Sequence, residues 1–195
     1  MLLCDPVRLL IMTNMTILKQ LKNIPHSQWY WLVYMFGGIF LIAAALYYQY
    51  FRDEQPCTMC IQVRLWITLF IIVSFIGLLS RNGKKINSLA QLSIVLIAGA
   101  LVERSYQLLG TERGFLFSNC GVDLGFPTWF AIEEWLPWIF RVETSCGYTP
   151  EIFFGITMAE SLMVMSVILL IVSFCIFLVS FVSMLFKEKI IEMNK

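Results

Sequence analysis

Charge is scarce in this sequence: Asp, Glu, Lys and Arg together make up 14% of its 195 residues, against about a quarter in an ordinary soluble domain. With 59% apolar residues and a mean hydropathy of +0.78, that scarcity excludes a soluble globular enzyme, because so much apolar surface cannot be hidden in one small core. Histidine is rarer still. His26 stands alone, so histidine-based catalysis and histidine-rich metal sites are disfavoured. The net charge of +1 comes from 14 basic and 13 acidic residues and provides no field that would gather nucleic acid or another polyanion. No dinucleotide fingerprint, haem-attachment motif or internal repeat occurs, which leaves nucleotide, haem and iron–sulfur acceptors unsupported. Aromatic residues reach 15%, and disordered chains are poor in them. The solvent for most of this chain is therefore expected to be lipid.

A helix needs about 20 mostly apolar residues to cross the hydrocarbon layer. Trp29 to Tyr50 supplies 22 without a charge, opening and closing on Trp and Tyr, the residues that anchor at headgroup level. A second span is predicted from Ile61 to Ser80, interrupted only by Arg64 one turn inside its start. A third runs from Ile86 to Leu109, with Glu103 and Arg104 near its far end, and a fourth lies within Ala159 to Phe186. The predicted fold class is all-α, a four-transmembrane-helix bundle forming one domain over residues 1–195. The apolar runs in residues 1–28 are too short for a signal peptide and no cleavage site follows. This segment is expected to be a cytoplasmic extension, with Met12 and Met15 as alternative starts.

Orientation follows from the basic residues of the loops. Arg8, Lys19, Lys22, Arg81, Lys84, Lys85, Lys187, Lys189 and Lys195 gather on one side, nine in all, against Arg52, Arg113 and Arg141 on the other. Both termini are expected to be cytoplasmic, with outer loops at about 51–60 and 110–158 and a cytoplasmic tail at 187–195. In the long loop, FPTWFAIEEWLPWIF places Trp129, Ile132, Leu136 and Ile139 on one helical stripe. Fifteen residues with two acids are too few and too polar to cross, so a short helix lying on the membrane surface is expected there.

This topology sorts the six cysteines. Cys4 falls in the cytoplasm and Cys175 in mid-span, where a reduced or buried, inert thiol is the ordinary reading. Cys57, Cys60, Cys120 and Cys146 fall on the oxidising side. Cys57 and Cys60 form a C-x-x-C, a spacing that serves thiol redox chemistry or half of a zinc site. Zinc would need Cys120 and Cys146 as its remaining ligands, and these stand 26 positions apart, unlike the close second pair of most structural sites. Two inert disulfides are a further alternative, although a bridge within C-x-x-C closes too small a loop to stabilise much. The redox reading draws on Cys60, which sits at a helix start where unpaired N–H groups favour an anion. Arg64, four residues on, shares its helix face. Both features favour a thiolate, the form that transfers electrons. Snorkelling of Arg64 to the nearby surface is the alternative. A lipid-soluble quinone is the acceptor most available to a thiolate at the headgroup boundary, an inference from location alone.

At these residues the sequence resembles the DsbB/DsbI family of bacterial disulfide-bond formation proteins. The resemblance covers most of the chain and rests on CTMCIQVR together with the stretch from Cys120 to Cys146, with its Phe-Pro-x-Trp and Glu-Trp-x-Pro. The absence of a large insertion in the long loop favours the DsbB branch. The resemblance implies a bacterial inner-membrane, quinone-dependent thiol oxidoreductase. Cys120 and Cys146 would form the disulfide presented to a periplasmic DsbA-like thioredoxin-fold partner, whose thiolate attacks Cys120 and releases Cys146. Cys146 would then attack Cys57, and the freed Cys60 thiolate would donate to ubiquinone or menaquinone, with Arg64 stabilising the charged state. No metal and no nucleic acid enter this scheme. Relatives often carry an outer histidine near the quinone, where this chain has Glu112 and Arg113. Arg113 is read as solvated loop charge, with assistance to the quinone as the alternative, and Glu103 with Arg104 as a pair near the interface. Two other classes fit less well. In quinone-linked enzymes of the vitamin K epoxide reductase type the C-x-x-C lies late in the chain, and tetraspanin scaffolds carry adjacent cysteines that this chain does not have.

Overall fold

Runs of more than 20 residues without a strong helix breaker, in a solvent that offers no hydrogen bonds, leave the helix as the only way to satisfy the backbone. The computed structural model describes residues 27–116, 132–144, 151–153 and 155–193. The N-terminal segment with Cys4 and His26, and Trp129, Cys120 and Cys146, lie outside them. Four helices are long and apolar enough to cross a membrane: α1 (Gln28–Phe51), α2 (Thr58–Leu79), α3 (Lys84–Glu112) and α6 (Met158–Met193). Two four-residue turns, α4 (Ile132–Trp135) and α5 (Pro137–Phe140), come between α3 and α6. A short antiparallel hairpin, β1 (Glu151–Phe153) and β2 (Ile156–Thr157), then leads into α6. The fold class is the expected all-α bundle.

Ser80 to Gly83 forms a tight turn, closed by Gly83 N–H donating to the Ser80 carbonyl at 2.9 Å, so α2 and α3 run antiparallel. At that end Arg81 donates to Gln28 Oε1 at 2.7 Å and ties the turn to the start of α1. α1 packs on α2, α2 on α3 and α3 on α6. The ring closes where the Tyr34 hydroxyl meets Ser173 Oγ of α6 at 3.1 Å. Trp31, Tyr34, Val63, Ile67, Phe70, Ile94, Leu101 and Ile176 fill the core between the helices. Hydroxyls within it bond back along their own helices, Ser74 to the Phe70 carbonyl and Ser105 to that of Leu101, each at 2.7 Å. Outward faces carry Phe36, Phe40, Leu96, Ile168 and Ile171 uncovered, as a lipid-facing surface requires.

Without a hydrophobic force between helices in lipid, close packing decides association, and small residues permit it. Gly77 of α2 lies under the Trp31 ring, so a Cβ there would fall 2.4 to 2.5 Å from three ring atoms. Trp31 is fully buried and cannot step aside. Gly77→Ala is therefore expected to destabilise the bundle by about 1–3 kcal/mol through overpacking. Gly37→Ala, with nothing within 4 Å, is expected to leave the detergent-solubilised melting temperature unchanged or slightly raised. Equal melting temperatures for the two variants would contradict this packing.

Candidate active site

The thiols sit where α2 begins. Cys57 is the N-cap, with extended backbone (φ −83°, ψ 167°), and its sulfur accepts from Cys60 N–H at 3.3 Å. The helix thus starts at Thr58, ahead of the predicted Ile61, because sulfur satisfies one of the four otherwise unpaired N–H groups of the first turn. Both cysteines are free thiols here; Cys57 is buried and Cys60 partly so. The adjoining Cys60 sulfur and burial push the Cys57 thiol above its ordinary range, so Cys57 keeps its proton at neutral pH. Met59, Leu108, Leu109, Ala159 and Leu162 pack around the pair. The walls therefore come from α2, α3 and the first turn of α6.

Arg64 lies one turn deeper and is buried, 5% exposed. One of its nitrogens, Nη1, donates to Gln49 Oε1 at 2.6 Å and to the Ile139 carbonyl at 2.8 Å, while Nη2 reaches the Ala45 carbonyl at 3.4 Å. Its hydrogen bonds go to α1 and to α5, and among the described residues none goes to sulfur. The charge nonetheless acts on Cys60 and Cys57, and on Tyr50 and Glu143. Gln49, itself buried, escaped the sequence reading because it lies in an uncharged run. An amide one turn from the end of an aromatic-rich span was the signal available.

The long loop returns to this spot. Glu143 and Thr144 N–H both point at the Pro56 carbonyl, at 3.1 and 3.4 Å, and Thr144 pairs with Cys57 in an isolated parallel bridge. Just before it, Phe140 and Val142 bury themselves against Ile61, with Ile132 and Ile139 beside them. Of the expected stripe, Ile132 and Ile139 face this cluster, but the helix is not continuous through Leu136. Leu136 is exposed, because the helix breaks there before Pro137, whose ring cannot continue the preceding turn. Phe140 takes the inward position.

A comparison with known families matches residues 27–176 to disulfide bond formation protein DsbB, a range that includes Cys57, Cys60, Arg64, Cys120 and Cys146. The chain belongs to the DsbB family. Among its relatives, disulfide bond formation protein B 2 of Pseudomonas aeruginosa is 27% identical over 145 residues, 73% of this chain and 83% of that protein. Disulfide bond formation protein B of Psychromonas ingrahamii is 30% identical over 163 residues, covering 79% and 84%. That of Shewanella sp. MR-4 is 31% identical over 140 residues, covering 71% and 80%. This DsbB family member is a multi-pass membrane protein of disulfide bond formation, a disulfide oxidoreductase.

The charges at the outer end of α3 have structural partners. Arg104 Nη1 donates to Gln62 Oε1 at 3.1 Å and to Gln107 Oε1 at 3.2 Å, and Gln107 Nε2 donates to Glu103 at 3.2 Å. Arg104 and Glu103 are thus relayed through an amide. Arg113 pairs with Glu160, and Glu112 Oε2 accepts from the Thr157 hydroxyl at 3.2 Å. Thr157 and Glu160 also form a capping box at the start of α6, with the two reciprocal bonds at 3.2 and 3.3 Å. That knot holds the first turn of α6 against the end of α3, which keeps Ala159 and Leu162 beside Leu108.

Proposed function

We propose that this protein reoxidises a periplasmic DsbA-like thioredoxin-fold oxidase and passes the electrons through Cys120–Cys146 and Cys57–Cys60 to a membrane quinone. The whole of residues 1–195 forms one inner-membrane domain with both termini cytoplasmic, the redox cysteines periplasmic, and the segment around α4 and α5 lying on the lipid surface. The observation that carries this reading is the bridge between Cys57 and Thr144. Cys146 is two residues beyond Thr144, a reach of about 7 Å in extended chain, so a sulfur there can meet Cys57.

The chemistry is thiol–disulfide exchange. The partner's thiolate attacks Cys120, forming a mixed disulfide and releasing Cys146 as thiolate. Cys146 attacks Cys57, the Cys57–Cys60 bond breaks, and Cys60 leaves. A second partner thiol then displaces Cys120 from the mixed disulfide, so the partner ends oxidised by two electrons; Cys120 next attacks Cys146, restoring the Cys120–Cys146 disulfide and leaving the two electrons on the Cys57–Cys60 dithiol for the quinone. The surroundings of the C-x-x-C fit a quinone ring: Leu108, Leu109, Ala159 and Leu162 are apolar and abut the thiols. Quinone, when bound, supplies a two-electron, two-proton acceptor. Arg64 would hold the negative charge left on Cys60, and the apolar walls would keep water from it.

The test is to mix the purified protein anaerobically with a reduced DsbA-like protein and ubiquinone or menaquinone, following quinone absorbance. One quinone is expected to be reduced for each partner disulfide formed. Partner oxidation without quinone reduction would overturn the reading.

A further inference from the structure

We infer that Tyr50 is a positioning residue for the exchange between Cys146 and Cys57, a role that rests on the relay proposed above. Tyr50, the penultimate residue of α1, is 56% exposed, yet its hydroxyl donates to the Trp138 carbonyl at 2.7 Å. Arg64 donates to the next carbonyl, that of Ile139, at 2.8 Å. Both carbonyls belong to α5, whose last C=O groups have no partner within so short a turn. Two side chains from two different spans thus cap one end of the surface segment.

From that tether the chain is seated residue by residue towards the thiols. Phe140 and Val142 pack on Ile61, Glu143 and Thr144 face the Pro56 carbonyl, and Thr144 pairs with Cys57. Tyr50 holds the far end of this seam, and its hydroxyl bonds to backbone rather than to either described thiol of the C-x-x-C. Fixing that end raises the effective concentration of Cys146 at Cys57, where the Cys146–Cys57 bond forms, Cys57–Cys60 breaks and Cys60 departs as thiolate. The competing role for an exposed tyrosine at a span end is headgroup anchoring by its ring, which Tyr50→Phe would preserve.

The experiment uses the full chain in detergent with Cys60, Cys120, Cys4 and Cys175 replaced by Ser, leaving Cys57 and Cys146. After full reduction, oxidised glutathione is added, and closure of the Cys57–Cys146 disulfide is followed by quenching with a thiol-alkylating reagent. Tyr50→Phe is expected to slow closure about fivefold, the worth of one ordinary hydrogen bond. Tyr47→Phe, which removes an equally exposed hydroxyl one turn back, is expected to close at the parent rate. In the chain with all its cysteines, Tyr50→Phe should lower the turnover number for partner oxidation by a similar factor and leave the quinone KM unchanged. Equal closure rates for Tyr50→Phe and its parent would overturn the positioning role. A parent that never forms the Cys57–Cys146 bond would overturn the relay itself, and this role with it.

Discussion

Cys60→Ser is expected to abolish quinone reduction, by about a thousandfold or more, the scale on which losing a covalent participant acts, while leaving the protein able to capture its partner. The hydroxyl keeps the size and the helix position of Cys60 but cannot bond to Cys57 or leave as a stabilised anion. The Cys120–Cys146 disulfide would still be attacked, so a mixed disulfide between Cys120 and the partner should be visible on a non-reducing gel. Anaerobic quinone absorbance should stay flat over the same period. Cys175→Ser, at an exposed position in α6, is the matched control and should turn over at the native rate. Normal quinone reduction by the Cys60 variant would show that electrons bypass the C-x-x-C, and the relay would be wrong.

The asymmetry behind that expectation was partly legible before any coordinates. The spacing of Cys57 to Cys60, and of Cys60 to Arg64, follows from helical periodicity, and hydropathy alone marked out α1, α2, α3 and α6. The helix start was harder. Gln55, Pro56 and Thr58 interrupt the apolar run there, whereas sulfur acting as the N-cap draws the C-x-x-C into the first turn of α2. Long-range pairings were not legible at all. Nothing local in Gln49 or Ile139 announces a bond to Arg64, because the bond depends on where α1 and α5 come to rest. Glu112 and Arg113 looked like solvated loop charge for a similar reason: their partners, Thr157 and Glu160, are more than 40 residues away. In the long loop the stripe holds at Ile132 and Ile139, but a period of 3.6 does not run unbroken through Leu136, where Pro137 opens a new turn. Cys120 and Cys146 stand on sequence and family membership alone.

Arg64 is the residue whose retention most needs a chemical reason. A buried guanidinium loses several kcal/mol of hydration, and among the described residues no carboxylate lies within ion-pair distance of Arg64, Glu143 acting on it only at longer range; its bonds go to an amide and two backbone carbonyls. Such a cation costs stability unless an anion forms next to it, and the adjoining thiol supplies one during turnover. Arg64→Met keeps the length and removes the charge. It is expected to lower kcat/KM for quinone by about 10- to 100-fold, the range of a lost hydrogen-bonded charge interaction, with quinone titrated at saturating partner. The partner KM should change less than about threefold, reflecting only the lost tether to Ile139. Because the site is buried, raising the salt concentration should not shrink the defect. Arg64→Lys should recover only part of it, since one ammonium cannot serve Gln49, Ala45 and Ile139 in the geometry of a planar fork. The melting temperature separates chemistry from architecture: relief of the buried charge offsets the lost hydrogen bonds, so Arg64→Met should stay within a few degrees of the parent. A large fall in melting temperature with unchanged quinone kinetics would make Arg64 a structural tie between α1, α2 and α5 and remove it from the electron path.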